Sequence, residues 1–346
     1  MAETMDCLRV EAWDGELHRA AVPVPDVGPT DVLIEIEATG VGRTVHKYVN
    51  GGMGDVPDDL PRIPGHEFVG TVAVTGEAVA GLAPGDRVTA YFHIGCGHCR
   101  ACQAAQDPLC ENHGGHVGVE MDGGYAEYAV LPAAMAIPVP DGIDPVAATA
   151  IPDAIATPYH VASERADIGP GDSVAVLGAA GGVGIHMLQV ARAFGAEVTA
   201  VDIDDGKLGA CRDVGAATLV NVADGQPATA LAAAGVEYDA VVDFTADTDL
   251  LEAAVDHLAN RGRLVCLASA AGVDVGVPTK ALVGGEIDVC GSRYCTKAEL
   301  REAADLVATG AVEPVVTDVV GFDGVAGLLE TILENELVGR GAMTPE

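Results

Sequence analysis

From about residue 172 the sequence alternates short apolar segments with longer amphipathic ones, and this alternation restricts the possible folds more than any other feature. The segments read SVAVLGAA, GVGIHMLQVARAFGA and EVTAVDID, followed by AATLVNV, YDAVVDFTA, a helix through DLLEAAVDHLANRG, and RLVCLASAAG. Short apolar strands that alternate with helices form a parallel sheet covered by helices on both faces. The sequence therefore predicts an α/β domain with a doubly wound parallel sheet. Beyond about residue 295 it predicts a helix at KAELREAADLVATG, a strand at PVVTDVVGF and a last helix.

The first 150 or so residues have a different pattern. Short β-like runs, VLIEIEATG, FVGTVAV, DRVTAYF and YAEYAVL, are separated by turn signals such as PGD and DGG. These runs predict an irregular β domain, and 346 residues are enough for two domains. No apolar run reaches about 18 residues, and the N-terminus lacks a basic patch followed by an apolar segment. We therefore expect a cytoplasmic protein.

The chain is strongly acidic. Asp and Glu total 52 against 18 Lys and Arg, which gives a formal net charge of −34. Such a field repels DNA, RNA and anionic lipid, so we expect no nucleic-acid or membrane partner. The 49% of hydrophobic residues argues against disorder. Acid-rich, lysine-poor surfaces of this kind resemble cytosolic proteins of salt-accumulating archaea, in which molar salt screens the self-repulsion.

A glycine-rich turn joins the first strand of the sheet to its helix. It contains Gly178, Gly181, Gly182, Val183 and Gly184. Glycines let the backbone approach a pyrophosphate, and the helix N-terminus offers its amides. The next strand ends at Asp202, a carboxylate suited to the adenosine ribose hydroxyls, and no arginine nearby would hold a 2′-phosphate. The pattern favours NAD binding; the alternative is a tight packing turn followed by surface acids such as Asp204 and Asp205.

Four of the nine cysteines lie within fifteen residues, at Cys96, Cys99, Cys102 and Cys110. Four thiolates at such spacing can enclose a zinc ion tetrahedrally with no open position, which is typical of a structural site. The alternatives are a disulfide framework, an iron–sulfur cluster or buried core cysteines. A closed zinc shell cannot bind substrate, so any chemistry is expected elsewhere in the chain.

The order of three motifs resembles that in medium-chain zinc-dependent alcohol dehydrogenases. Gly65-His66-Glu67-Phe-Val-Gly70 comes first, then the four cysteines, then the glycine-rich turn, and the similarity covers essentially the whole chain. The resemblance implies a GroES-like catalytic domain at 1–153 and 296–346, with a structural zinc lobe at about 94–112. It implies a Rossmann dinucleotide-binding domain at 154–295, and a homo-dimer or homo-tetramer.

The same resemblance implies roles for individual residues. His66, Glu67 and Asp153 match the ligands or neighbours of a catalytic zinc. Thr44 matches the hydroxyl that accepts the alcohol proton, and His46 a relay to solvent or a rival third ligand. The residues implied in cofactor binding, besides the turn and Asp202, are Arg43 for the pyrophosphate, Thr157 for the nicotinamide, Lys207 for the ribose, and Arg340 in the C-terminal Val338-Gly339-Arg340.

The segment around Gly42 departs from the family pattern: besides the cysteine position, Val45 stands where the family has an aspartate, and His46 comes one residue early. Relatives have a zinc-binding cysteine where this chain has Gly42, in the segment Gly40-Val41-Gly42-Arg43-Thr44-Val45-His46. A ligand set of one imidazole and two carboxylates is harder than the usual set, so a more weakly held ion is expected, with other divalent ions such as manganese able to compete.

These features together predict an enzyme that interconverts an alcohol with an aldehyde or ketone, using NAD and zinc. Two alternatives remain open. The first is an enoyl-thioester or quinone reductase of the same superfamily that needs no catalytic metal, because the GAAGGVGIH turn and the absent cysteine fit such members. The second is a cofactor-binding protein without catalytic activity.

Overall fold

The computed structural model describes residues 3–13, 16–50, 59–270 and 272–345, which form two compact units. Unit 1 comprises Met1–Asp153, Cys295–Ala308 and Pro314–Glu346, and unit 2 comprises Ala154–Tyr294 and Thr309–Glu313. The short segment Thr309–Glu313 belongs to unit 2 for a local reason. The Gln189 side chain donates to the carbonyl of Glu313 and accepts from its amide, both at 2.8 Å.

The strands of unit 1 build a seven-stranded sheet and two short hairpins. In chain order they are β1 (Thr4–Val10), β2 (Leu17–Pro23), β3 (Asp31–Val41), β4 (Phe68–Thr75), β5 (Arg87–Ala90), β6 (His93–Ile94), β7 (Gly115–His116), β8 (Tyr128–Pro132) and β9 (Ala136–Pro138). Strands β16 (Val316–Val320) and β17 (Arg340–Met343) come from the C-terminal part of the chain. The sheet order is β16-β17-β3-β4-β5-β9, with β8 also paired to β3. Strands β1 and β2 form one hairpin, and β6 and β7 form the other.

Unit 2 contains a parallel sheet of six strands. They are β10 (Ser173–Leu177), β11 (Glu197–Asp202), β12 (Thr218–Asn221), β13 (Tyr238–Asp243), β14 (Leu258–Cys266) and β15 (Asp288–Gly291). Their order is β12-β11-β10-β13-β14-β15, and every pair is parallel. Counted from β10 this is the order 3-2-1-4-5-6 of dinucleotide-binding folds, with the direction of winding reversing beside β10. The predicted doubly wound parallel sheet is confirmed.

The helices lie between these strands. They are α1 (Arg43–Val49), α2 (Arg100–Gln103), α3 (Pro145–Ala148), α4 (Ala156–His160), α5 (Gly184–Ala193), α6 (Asp205–Asp213), α7 (Pro227–Ala234), α8 (Thr248–Val255), α9 (Thr279–Gly285), α10 (Lys297–Ala308) and α11 (Val325–Leu333). Wider π-type turns, Ile151–Ile155 and Val161–Arg165, flank α4. A search of the described residues finds no helix long and apolar enough to cross a membrane.

The prediction of a helix through DLLEAAVDHLANRG is correct only for the first half of this segment. Helix α8 ends at Val255, and the chain enters β14 at Leu258, opposite Tyr238 of β13. The register of this pair then shifts, and Arg261 adopts a positive φ of 66° before Gly262. A Cβ on Gly262 would lie 2.9 Å from the Tyr238 carbonyl oxygen, so the irregular strand depends on that glycine. Pairing to β13 prevails over the helical pattern.

Candidate functional site

The glycine-rich turn of unit 2 follows β10 directly. Gly178 has a φ of +75°, a conformation that favours glycine. A Cβ on Gly184 would lie 2.2 Å from the carbonyl oxygen of Gly178, so a side chain there would prevent the turn from closing against α5. Gly181 donates its amide to the same carbonyl oxygen. Gly182 and Val183 complete the turn, which leads into the N-terminus of α5, the helix end that favours a bound anion.

Asp202 ends β11 next to this turn. Its carboxylate accepts the amide of Ala180 at 2.9 Å and that of Ile203 at 2.8 Å, so it links the turn to the end of the strand. Asp204 caps α6 by accepting the amides of Gly206 and Lys207. The structure therefore brings Asp202 and the glycines together and places Lys207 in the first turn of α6.

Thr157 and His186 lie on helices of the same unit. Thr157 is buried on α4. His186, which the sequence pattern did not single out, is buried on α5, and its Nδ1 lies 2.8 Å from the carbonyl oxygen of Gly182. Burial lowers the pKa of His186 to about 4, so the ring is neutral near pH 7 and donates to that carbonyl. A histidine within the apolar first half of the helix, four residues after a turn glycine, is the sequence signal for this contact.

The four cysteines of unit 1 form one cluster. Their sulfur atoms all lie within 4.8 Å of one another. The sulfur atoms of Cys99 and Cys110 are 3.8 Å apart, and tetrahedral zinc with bonds of about 2.3 Å sets sulfur atoms about 3.8 Å apart. Hydrogen bonds from backbone amides, of which that of Cys102 has the largest effect, lower the pKa of the Cys99 thiol to about 6. Desolvation raises the pKa of the Cys102 thiol to about 12. The geometry suits a closed tetrahedral ion.

A second donor group is formed by His66, Glu67 and Asp153, whose ligand atoms lie within 4.8 Å of one another. His66 and Glu67 are buried where the chain enters β4, and Asp153 lies on the π-type turn before α4. Nε2 of His66 is 3.8 Å from Oδ2 of Asp153. Tetrahedral zinc bound at about 2.1 Å needs its ligand atoms about 3.4 Å apart, a few tenths of an ångström closer.

Arg340 occupies the space beside Gly42. Its Nη2 donates to Oε2 of Glu67 in an ion pair whose side chains are 10% and 1% exposed. A Cβ on Gly42 would lie 2.8 Å from both terminal nitrogens of Arg340. The guanidinium thus fills the space that a cysteine side chain at position 42 would need. Burial lowers the pKa of Arg340 to about 10, which leaves the group charged at neutral pH. Its predicted contact with the cofactor must compete with this ion pair.

The surroundings of the second carboxylate oxygen of Glu67 indicate whether the donor group suits a metal ion. Oε1 of Glu67 is buried and has no hydrogen-bond partner among the described residues. A buried carboxylate oxygen without a partner is costly unless something binds it. Glu67, the His66 imidazole and the Asp153 carboxylate make a three-ligand set that zinc accepts. The residues present therefore fit a divalent ion.

Helix α1 carries the other residues expected near the reaction. Thr44 and His46 are both half-buried, and Asn50 Nδ2 lies 3.0 Å from the His46 ring nitrogens. His46 does not share a donor group with His66 in the part of the chain that the structure describes. Arg43 donates to the Ile332 carbonyl at 3.0 Å and to the Asn335 side chain. The expected pyrophosphate contact of Arg43 would compete with these bonds.

The structure also brings together three histidines that the sequence pattern did not single out. They are His93, His113 and His116, with candidate ligand nitrogens within 4.8 Å of one another. The available signals were a histidine just before the cysteine lobe and the pair in NHGGH just after it. Neither spacing matches a recognised metal motif, so only the folded hairpin shows that the three rings meet.

Comparison with known sequences identifies the family. Residues 28–141 match the profile of the alcohol dehydrogenase GroES-like domain, and residues 182–309 match that of zinc-binding dehydrogenases. An alcohol dehydrogenase of Geobacillus stearothermophilus is 33% identical over 334 residues, covering 96% of each chain. An L-threonine 3-dehydrogenase of Aeromonas salmonicida is 35% identical over 250 residues, covering 71% of this chain and 72% of its own.

Solved structures give the same assignment. A thermostable alcohol dehydrogenase from Pyrobaculum aerophilum, with cobalt and zinc bound, is 31% identical with a TM-score of 0.88, covering 99% of this chain and 100% of its own. A putative zinc-binding dehydrogenase from Sinorhizobium meliloti, bound to NADP, is 28% identical with a TM-score of 0.89 and the same coverage. The GroES-like and Rossmann architecture expected from the motifs is confirmed, and the chain belongs to the zinc-type family of medium-chain dehydrogenases, which are oxidoreductases.

Proposed function

We propose that this protein is a zinc-dependent alcohol dehydrogenase that transfers hydride between an alcohol and NAD, giving an aldehyde or ketone. The observation that carries the proposal is the donor group of His66, Glu67 and Asp153, in which Glu67 keeps one buried oxygen without a partner. A purely structural ion pair with Arg340 would need only the other oxygen. The orphaned oxygen is explained if a cation completes the group.

When zinc is bound by these three residues, it supplies Lewis-acid chemistry, which lowers the pKa of an alcohol hydroxyl. The chain's own residues handle the proton. Thr44, in the first turn of α1, accepts the proton from the alcohol and passes it toward His46, two residues on and half-exposed, which can release it to solvent. Buried Thr157 orients the nicotinamide in this proposal, a role carried over from the family.

The cofactor proposed is NAD. The amides of the turn from Gly178 to Gly184 hold the pyrophosphate, and Asp202 accepts the adenosine ribose hydroxyls. A 2′-phosphate at that ribose would be repelled by Asp202 and by the nearby Asp204. The NADP-bound relative from Sinorhizobium meliloti shows that the fold alone does not decide this choice. The acidic side chains at this position are the support for NAD in this proposal. Lys207 is proposed to contact the ribose, and Arg43 and Arg340 the pyrophosphate after they exchange their present partners.

The four-cysteine cluster is proposed to hold a second zinc with a structural role. All four positions of a tetrahedral ion are filled by protein sulfur, so no position is left for substrate. We expect this ion to stabilise the lobe around α2.

One observation favours the metal-free alternative. Glu67 already has a cationic partner in Arg340, and Gly42 supplies no thiolate. An enoyl-thioester or quinone reductase with this fold would need only the bound reduced cofactor. The similarity to threonine dehydrogenases also makes L-threonine a candidate alcohol, so substrate tests must include it.

The amino-acid composition is the basis for proposing the cellular environment of the enzyme. A net charge of −34 on 346 residues favours a cytoplasm with high salt, in which counterions reduce self-repulsion. We propose that the active form is a homo-dimer or homo-tetramer, as the family resemblance implies.

The decisive experiment measures turnover of purified protein in concentrated KCl. Primary alcohols, secondary alcohols and L-threonine are tested with NAD and NADP, and a crotonyl-thioester with NADH. We expect alcohol oxidation with NAD that a chelator abolishes and zinc restores. Glu67→Ala should abolish it, whereas Glu37→Gln, a carboxylate paired with Arg87 elsewhere in unit 1, should not. Chelator-resistant reduction of the thioester, with no alcohol oxidation, would identify the metal-free reductase instead.

A further inference from the structure

We propose that His93, His113 and His116 form a third metal site, for a borderline divalent cation such as zinc, cobalt or nickel. The three residues sit on and beside the hairpin of β6 and β7. His93 and His116 are direct cross-strand partners, with ring centroids 4.5 Å apart. His113 precedes β7, and its ring centroid lies 4.1 Å from that of His116. The hairpin thus brings together three imidazole rings from a segment of 24 residues.

One pair of nitrogens has the spacing that a tetrahedral ion requires. Nδ1 of His93 lies 3.3 Å from Nε2 of His113. Two imidazole nitrogens bound at about 2.05 Å in tetrahedral geometry are about 3.3 Å apart. One candidate nitrogen of His116 completes a set in which all separations are within 4.8 Å. His93 is 4% exposed, so its ring is fixed by packing.

A carboxylate supports the third ligand. Oε2 of Glu120 lies 3.4 Å from Nδ1 of His116 and accepts the backbone amide of the same residue at 2.5 Å. In metal sites a carboxylate commonly accepts the ring N–H of a ligating histidine, which fixes its orientation and raises its basicity. With Nδ1 of His116 facing Glu120, an ion would coordinate Nε2 of the same ring.

The competing interpretation is a hydrogen-bonded pair of histidines. The amide of Gly115 donates to Nδ1 of His113 at 3.2 Å, so in the metal-free ring Nε2 carries the proton and can donate to His93. An ion at Nε2 would displace that proton to Nδ1, and the amide contact would have to open. Both interpretations therefore predict the same metal-free geometry, and metal binding separates them.

The ligand set defines the chemistry of the site. Three neutral imidazoles suit zinc, cobalt, nickel or copper better than magnesium or calcium, which prefer oxygen. Three protein ligands leave a fourth position open for water or another small ligand. The site is a donor group distinct from that of His66, since the two groups share no residue, although the Phe92 ring contacts both, 4.6 Å from the His66 ring and 5.0 Å from the His93 ring.

The test is a cobalt titration of the metal-stripped, full-length protein in concentrated KCl, with bound metal counted after removal of excess ion. Four proteins are compared: wild type, Asp153→Asn, His113→Gln/His116→Gln, and the exposed control His18→Gln. We expect the double variant to bind one cobalt fewer than wild type and the control to bind the same number. The sulfur-to-cobalt charge-transfer band of the cysteine cluster reports correct folding of the adjacent lobe in every variant.

The outcomes separate this proposal from the proposed function. If the double variant keeps its charge-transfer band and binds as many ions as wild type, the third site does not exist. If it loses one ion while Asp153→Asn loses none, the histidine site stands and the catalytic zinc is wrong. If the charge-transfer band is lost, single His116→Gln replaces the double variant. If His116→Gln leaves the affinity for every bound cobalt ion unchanged, the proposed histidine site is wrong.

Discussion

The ion pair between Glu67 and Arg340 allows a quantitative prediction. Arg340→Gln removes the cation and leaves the Glu67 carboxylate 1% exposed with no charged partner. Removing one member of a buried ion pair costs about 3–5 kcal/mol, because the remaining charge is desolvated without compensation. The metal-free variant should therefore lose about 3–5 kcal/mol of unfolding free energy.

The matched control is the half-buried pair of Arg87 and Glu37. Their atoms are 2.7 Å apart, but the side chains are 28% and 24% exposed. Water can solvate the carboxylate left by Arg87→Gln, so about 1 kcal/mol or less is expected. The comparison holds the substitution constant and changes only the burial of the orphaned carboxylate.

The assay is urea unfolding of chelator-treated protein at one high KCl concentration, with circular dichroism as the probe of unfolding. Burial protects the Glu67 pair from screening, so the high KCl concentration of the assay should not remove the effect. The double variant Arg340→Gln/Glu67→Gln should recover most of the loss, since no buried charge remains. Equal losses in Arg340→Gln and Arg87→Gln, or no recovery in the double variant, would refute the assignment of Glu67 as a buried charge held by Arg340.

Three further predictions concern the other sites. Cys99→Ser should lower the melting temperature in high salt with little change in kcat at temperatures where the variant is folded; full stability with a selective loss of hydride transfer would contradict a structural zinc. Asp202→Gly should raise kcat/KM for NADP relative to NAD, although it also removes the acceptor of the Ala180 amide, so the ratio and not the absolute rate is measured. Circular dichroism against KCl concentration should show the native signal only at high salt; a full native signal and lasting activity in dilute buffer would mean that the acidic surface has another cause.

The sequence predicted what depends on local pattern. The strand before Gly178 and the turn itself follow from an apolar run and from glycine spacing, both of which are visible in consecutive residues. The four cysteines lie close enough along the chain for spacing alone to indicate one ion. The limit of such reasoning is visible at Leu258, where the pattern favours helix but pairing with β13 prevails.

The remaining site features depend on contacts between distant residues. His66 and Asp153 are 87 positions apart, and only the family resemblance linked them before the structure was known. The meeting of His93 with His116 depends on the register of a hairpin whose strands are two residues long, too short to leave a periodic signal. Asp204, which the sequence presents as a surface acid, caps α6 with its carboxylate, a role that depends on where the helix starts.

Gly42 illustrates best why a missing ligand cannot be interpreted from sequence alone. In the sequence it leaves a gap in a metal site. In the structure the gap is filled by the guanidinium of Arg340, so a cysteine there would have to displace a buried, paired cation. The site thus has a positive charge where a cysteine thiolate would bring a negative one.

This exchange of charge has a consequence for metal affinity. A divalent ion must share Glu67 with Arg340 and can use only its second oxygen, so binding should be weak. Removing Arg340 destabilises the metal-free protein by leaving Glu67 without a counter-charge, and a bound ion supplies that charge again. Because binding and folding are linked, any unfolding free energy that the ion restores to the Arg340→Gln variant appears as tighter binding of the ion. A restored 3 kcal/mol corresponds to a dissociation constant lower by roughly a hundred-fold. One substitution should therefore weaken the metal-free fold and strengthen the metal site, a combination that a residue with a purely structural role would not produce.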